Sequence, residues 1–203
     1  MTVADAAASA SELVELYDAG LFEAVDVHTA EALGRLTGDP SPELALAAAL
    51  AVRAPRLGHV CLDITRLYEV GLADHAGEPV EVELPDRTSW LAAIAASPAV
   101  RTPGDAERVT PLVLDADRLY LDRYWRYEQR LVTRLHQLLA TPLDDRDPAV
   151  VEEVLQRLFP QPEDATYRRA AERAATRALT VLTGGPGTGK TTTLVRILAT
   201  LWM

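Results

Sequence analysis

The chain has 203 residues, of which 48% are hydrophobic and 25% charged, a composition typical of a globular protein with one large or two small domains. Its single cysteine, Cys61, excludes an internal disulfide framework, and no apolar run reaches the roughly 20 residues that a membrane helix needs. The N-terminus lacks the basic residues of a signal peptide. The sequence therefore predicts a cytoplasmic protein with no membrane segment.

The formal net charge of −10 is unevenly distributed. Residues 1–150 carry 13 Arg against 25 Asp and Glu, whereas residues 151–203 carry six Arg and one Lys against five acidic residues. Because phosphate contacts need cations, the acidic first part argues against a nucleic-acid clamp there. Two interpretations of that part stay open: a surface that binds a protein partner, and a merely solvated acidic surface.

Four helices are predicted in the first 140 residues from polar caps, prolines and apolar spacing. They span residues 9–18, 41–54, 89–96 and about 122–140. In the last of them, apolar residues recur every three to four positions, so we expect one face to be buried. Residues 112–114 and 119–121 predict a β-hairpin with Asp115-Ala116-Asp117 as its turn. Residues 71–85 and 97–111 are predicted as loops.

Residues 140–148 contain two prolines and three aspartates and predict a linker. We therefore expect one domain at residues 1–145 and a second that begins at residue 146. Two helices follow, one from Pro148 to near Pro160 and one that starts near Glu163 or Asp164. Residues 178–185 then predict a buried strand through Leu179, Val181 and Leu182. A final helix is expected to begin near Gly189.

Between this strand and this helix lies the pattern G-x-x-x-x-G-K-[ST], at residues 184–191. A strand, a glycine-rich loop and a helix in this order are typical of a phosphate-binding loop. The backbone carries no side chain at Gly185, Gly187 and Gly189, and it can adopt positive φ there. Its N–H groups can therefore approach a phosphate. The helix N-terminus adds further N–H groups and a positive dipole end. A plain glycine turn would not explain the Lys190-Thr191 pair.

The motif assigns roles to its residues. Lys190 and Thr191 are the predicted catalytic residues, with Lys190 between the β- and γ-phosphates, the Thr191 hydroxyl on Mg²⁺, and Thr192 near the α-phosphate. Lys190 is the one lysine among 20 basic residues, in agreement with a place that needs a compact ammonium. The predicted cofactors are ATP and Mg²⁺. The predicted cofactor-binding residues are Gly184, Gly185, Pro186, Gly187, Thr188, Gly189, Lys190, Thr191 and Thr192.

Residues 58–64 (GHVCLDI), 111–131 (PLVLDADRLYLDRYWRYEQRL) and 166–201 together resemble the RecD family, the α subunit of exodeoxyribonuclease V. The resemblance implies a mainly α N-terminal domain with a small β-hairpin that docks on a partner, followed by the start of a RecA-like α/β P-loop motor domain. It implies an ATP-dependent 5′-to-3′ DNA helicase subunit of the RecBCD exonuclease complex in double-strand-break repair by recombination. RecB- and RecC-like subunits would complete a heterotrimer, and DNA would bind through the intact protein.

The sequence departs from this family's pattern in two ways. Tyr167 lies where similar helicases carry a glutamine that contacts adenine, so either Tyr167 stacks on the base or adenine selection is weaker or supplied elsewhere. The sequence also ends inside the first motor helix, so we expect the beginning of a longer subunit that cannot hydrolyse ATP alone. Two alternatives remain: another P-loop NTPase, such as a stand-alone helicase, and a non-catalytic partner-binding module with a vestigial P-loop.

Overall fold

The computed structural model describes residues 12–105, 107–143 and 147–202, which are mainly helical with two small β-sheets. The predicted mainly α class with a small hairpin is confirmed. Two compact units are formed, Met1–Glu128 and Gln129–Met203. This division lies within the long helix, whereas the sequence places the domain boundary near residue 145. Residues 144–146 of the predicted linker and the predicted start of the first helix lie outside the described residues.

The first unit contains five helices before the hairpin in the part of the chain that the structure describes. Their bounds are residues 12–18 (α1), Ala24–Thr37 (α2), Pro42–Arg53 (α3), Ile64–Val70 (α4) and Arg87–Ala96 (α5), with a 3₁₀ turn at Ala54–Leu57. The predicted first, second and third helices are confirmed as α1, α3 and α5, and the sequence did not predict α2 and α4.

Capping explains why α3 was predicted and α2 was not. Ser41 caps α3 by accepting the Leu44 N–H at 3.4 Å, with Pro42 at the first helical position. At α2 the cap is Glu23, a residue type that is not a usual cap signal. Asp26 completes a reciprocal capping box by accepting the Glu23 N–H at 2.8 Å.

Helix α3 lies at the centre of the hydrophobic core of the first unit. Its residues Leu44, Leu46 and Leu50 are at most 2% exposed, and Ala47 to Ala49 are fully buried. The small alanine side chains let neighbouring elements approach the helix closely. Trp90 on α5 is fully buried against this core and donates its indole N–H to the Glu43 carbonyl at 2.9 Å.

A four-stranded sheet carries the predicted hairpin. The strands of the described chain, β1 to β6, are Leu62–Asp63, Leu72–Ala73, Pro79–Val80, Val100–Arg101, Leu112–Asp115 and Arg118–Leu121. The strands of the four-stranded sheet lie in the order β1-β6-β5-β4, with β4 and β5 parallel and the other pairs antiparallel. The hairpin pairs run from Leu112 opposite Leu121 to Asp115 opposite Arg118, which leaves a two-residue turn. A short antiparallel pair, β2 with β3, lies within the segment predicted as a loop.

Helix α6, Asp122–Ala140, has the predicted bounds, but the prediction that one of its faces is buried is wrong. None of its residues is buried against the rest of the described chain, and Leu131 and Leu139 are 57% and 50% exposed. A 3.6-residue period shows that a helix has an apolar stripe, yet it does not say which part of a protein covers the stripe. None of the described helices is both long and apolar enough to cross a membrane.

In its described residues, the second unit contains three helices after α6, all of them predicted. They are α7, Pro148–Leu158, α8, Ala165–Thr176, which follows a 3₁₀ turn at Pro162–Asp164, and α9, Lys190–Trp202. Their apolar faces meet in a small core of Leu155, Phe159, Ala171 and Ile197. This core fixes α9 against α7 and α8.

The buried strand predicted at residues 178–185 is absent from the described chain. The segment is irregular, Val181 is 76% exposed, and Leu179 and Val181 line an open groove of about 600 Å³ beside Arg169 and Arg173. Apolar and β-branched residues favour a strand, but a strand also needs a neighbour that takes its backbone hydrogen bonds. Among the described residues, the nearest such pairing is one isolated bridge between Pro142 and Arg177.

The hairpin turn contains a residue with an unfavourable backbone conformation. Ala116 has a φ of 53°, the one positive φ outside glycine in the described chain. A Cβ atom is crowded by the backbone at positive φ, and glycine has no Cβ. We therefore expect Ala116→Gly to raise the free energy of unfolding by about 0.5–1 kcal/mol. Urea unfolding followed by tryptophan fluorescence measures the change.

The matched control is Ala92→Gly, at an exposed position inside α5. There glycine has no steric advantage, so the control is expected to lower the free energy of unfolding by about 1 kcal/mol. Equal destabilisation by both substitutions would contradict the proposed strain at Ala116.

Candidate phosphate-binding site

The glycine loop leads directly into the N-terminus of α9. Gly189 precedes the helix, and its carbonyl accepts the first helical hydrogen bond, from Thr193 N–H at 2.9 Å. An α-helix leaves its first N–H groups without intrahelical partners, which here belong to Lys190, Thr191 and Thr192. Gly187 and Gly189 have φ values of 76° and 73°. Only glycine adopts these values without strain, so these two positions let the chain turn into the helix.

Gly184 is required for a different reason, close approach of a side chain. A Cβ at Gly184 would lie 2.7 Å from Thr188 Oγ1, closer than real Cβ contacts allow. The Thr188 hydroxyl is there because it donates to the Gly185 carbonyl at 2.9 Å. The loop thus folds back on itself, with Thr188 over its first two glycines.

The Lys190 side chain returns across the same loop. Its ammonium donates to the Gly184 carbonyl at 2.6 Å and also to the Gly185 carbonyl. An ammonium has three donors and a full positive charge, and it lies here beside the positive end of the α9 dipole. The arrangement gathers cationic and N–H donor groups at one end of one helix.

The structure brings the predicted residues 184–192 together in this loop and first turn, with Thr191 and Thr192 exposed. Sequence reasoning missed Thr193, which is 4% exposed and donates its hydroxyl to the Gly189 carbonyl at 3.0 Å. It also missed a contact of Tyr167, whose hydroxyl donates to the Thr188 carbonyl at 3.1 Å. Neither contact has a signal in the motif.

Ion pairs support the position of α9. Arg196 lies 3.3 Å from Asp164, the residue before α8, and its guanidinium stacks 5.3 Å from the centre of the Phe159 ring. Arg168 on α8 pairs with Glu152 on α7. These pairs are partly exposed, so they add modest stability, but they connect α7, α8 and α9.

Two parts of the chain match models of known protein families. The family model described as the N-terminal domain of RecBCD enzyme subunit RecD matches residues 18–120. A model described as an AAA domain matches residues 167–202, which contain α8, the loop and α9. The AAA match and the loop geometry together define a P-loop protein.

The curated relatives point to one family. RecBCD enzyme subunit RecD of Mycobacterium tuberculosis strain H37Rv is 44% identical over 98% of this chain and 32% of its own length. The protein of the same name from Mycolicibacterium smegmatis is 42% identical over 90% of this chain and 30% of its own length. The chain spans about a third of the length of these relatives. Because the RecD N-terminal model covers half of the chain, the chain belongs to the RecD family.

The close approach at Gly184 is testable. Gly184→Ala is expected to push the Thr188 hydroxyl off the Gly185 carbonyl and to weaken nucleotide binding about tenfold, or about 1.4 kcal/mol. Isothermal titration calorimetry measures the affinity.

A double-mutant cycle isolates the cause. In a Thr188→Ala background the obstructing hydroxyl is gone, so adding Gly184→Ala is expected to cost less than about threefold more. The same tenfold loss in both backgrounds would show that Thr188 is not the reason for glycine at this position.

Proposed function

We propose that the loop at residues 184–191 binds ATP with Mg²⁺ and that the intact protein is an ATP-dependent 5′-to-3′ DNA helicase subunit of a RecBCD-type complex. This complex would act in the cytoplasm on double-strand breaks repaired by recombination. The observation that carries the proposal is the loop itself, where two positive-φ glycines, a helix N-terminus and the Lys190 ammonium converge. The RecD relationship supports the choice of helicase over other P-loop functions.

In this proposal the residues of the loop bind and orient the phosphates. The Lys190 ammonium exchanges two neutral carbonyl acceptors for anionic phosphate oxygens, which form stronger, charge-assisted hydrogen bonds. The free N–H groups of Lys190, Thr191 and Thr192 donate to the same oxygens. Bound ATP would supply the β–γ phosphoanhydride bond whose hydrolysis drives translocation of the intact protein on DNA.

Thr191 is the proposed protein ligand of Mg²⁺. Its side chain is exposed in the first turn of α9, next to Lys190. No cluster of three or more His, Cys, Asp or Glu that could hold a metal occurs in the described part of the chain. Mg²⁺ keeps several waters and takes few protein ligands beside phosphate oxygens, so one threonine hydroxyl fits this ion.

We further propose that residues 1–145 dock on RecB- and RecC-like partner subunits, while residues 146–203 begin the RecA-like ATP-binding domain. Support comes from the part of α6 after Glu128, which precedes residue 145 but belongs to the second compact unit. Its apolar stripe includes Leu131, Leu135 and Leu139, all at least 36% exposed. A contiguous exposed apolar surface is typical of a protein interface.

The first test of this function is Lys190→Ala in the full-length protein with its partner subunits. Loss of the ammonium is expected to weaken Mg·ATP binding about 100-fold and to abolish DNA-dependent ATP hydrolysis, because the phosphate charge is then uncompensated. The control is Arg173→Ala, which removes a positive charge from an exposed position on α8. It is expected to leave Mg·ATP binding and ATP hydrolysis unchanged. Equilibrium binding and phosphate release measure the two effects.

Co-purification of the partner subunits with the Lys190→Ala protein is expected to be unchanged. Normal ATP hydrolysis by this variant would contradict the proposed motor function. Loss of the partners instead would favour the alternative in which the loop is vestigial and structural.

The second test concerns docking through α6. Leu131→Gln with Leu135→Gln makes the exposed stripe polar, so retention of the partners on affinity purification is expected to fall at least about tenfold. The control, Thr133→Ala with Gln137→Ala, changes the opposite face of the same helix and is expected to have no effect. Equal retention by the two double variants would exclude the stripe as an interface.

A further inference from the structure

We propose that Tyr167 is a positioning residue of the phosphate loop, whose phenol holds the loop backbone in the shape that binds phosphates. The role rests on the proposed nucleotide binding and concerns the same loop. It differs from base stacking, the role that its position in the sequence suggests, because it acts through the hydroxyl and not through the ring face.

The first argument is the contact itself. The Tyr167 hydroxyl donates to the Thr188 carbonyl at 3.1 Å, and a Cβ added at Gly189 would lie 3.9 Å from the same hydroxyl oxygen. The phenol therefore lies against the two residues that lead into α9. Displacement of either residue would move the N–H groups of the first turn.

The second argument is that this bond has no substitute. Apart from the backbone bonds within α9, it is the one hydrogen bond among the described residues that reaches the loop from outside residues 184–193. In the proposed function, Lys190 exchanges its contacts with the Gly184 and Gly185 carbonyls for phosphate oxygens. The Thr188 contact with Gly185 is internal to the loop. Apart from the two Thr193 bonds to the Gly189 carbonyl at the start of α9, only the Tyr167 bond then connects the loop to another element in the described chain.

The third argument is that the tyrosine is itself held in place. Tyr167 is the third residue of α8, half-buried, and packs against the core of Leu155, Phe159, Ala171 and Ile197. This core also holds α9 through Ile197. The phenol therefore extends from α8, which packs against α9, to the loop that precedes α9. It keeps the distance between α8 and the loop fixed.

Tyr167→Phe and Tyr167→Leu in the full-length protein test the role, with Mg·ATP, Mg·GTP and inorganic tripolyphosphate as ligands. Phenylalanine keeps the ring and its packing and removes only the hydroxyl. We expect Tyr167→Phe to weaken binding of all three ligands equally, by about three- to tenfold, the usual effect of one hydrogen bond. The KM for ATP is expected to rise with kcat unchanged, and the melting temperature to stay within about 2 °C of wild type.

Two results would overturn the role. One is binding of all three ligands by Tyr167→Phe at wild-type affinity. The other is a loss confined to Mg·ATP and Mg·GTP in Tyr167→Leu with tripolyphosphate unaffected, which assigns Tyr167 to the base.

Lys190→Ala, measured with tripolyphosphate in the same series, separates this inference from the proposed function. Unchanged binding by Lys190→Ala overturns phosphate binding at the loop as a whole. Loss with Lys190→Ala but none with Tyr167→Phe overturns the Tyr167 role alone.

Discussion

An α-helix begins with backbone N–H groups that its own hydrogen bonding cannot satisfy, and the candidate site is built on one such helix end. At α9 these groups belong to Lys190, Thr191 and Thr192, and the chain before them must turn sharply without covering them. Gly187 and Gly189 supply the two left-handed residues of that turn. The Lys190 side chain then reaches back to the start of the loop. The position of this one helix therefore decides where these free N–H groups lie.

What holds the helix is the small core of the second unit and not the loop. Ile197 packs with Leu155, Phe159 and Ala171, and Arg196 pairs with Asp164 at the start of α8. A core of this size leaves much of α9 exposed, including Leu194, Val195 and Leu198. The loop is thus anchored at its C-terminal end, while the segment before it, residues 178–183, has little regular support.

Local signals in the sequence were sufficient for much of this structure. The Ser41-Pro42 cap of α3, the hairpin at residues 112–121 and the residues of the glycine loop all depend on neighbours within a few positions. The predictions that failed depend on distant partners. Residues 178–185 have strand composition but no strand beside them in the described chain, and the α6 stripe has no described surface to cover it. The Tyr167 bond to Thr188 joins residues 21 positions apart, so no short sequence pattern predicts it.

The single lysine has a practical consequence for chemistry on this protein. Within these 203 residues, Lys190 carries the only side-chain amine, because every other basic residue apart from histidine is arginine. Acylating or aldehyde reagents that select side-chain amines therefore have Lys190 of the loop as their one target within these residues. The rate at which Lys190 is modified, compared with and without a phosphate ligand, therefore measures how accessible the loop lysine is. The measurement needs no engineered label.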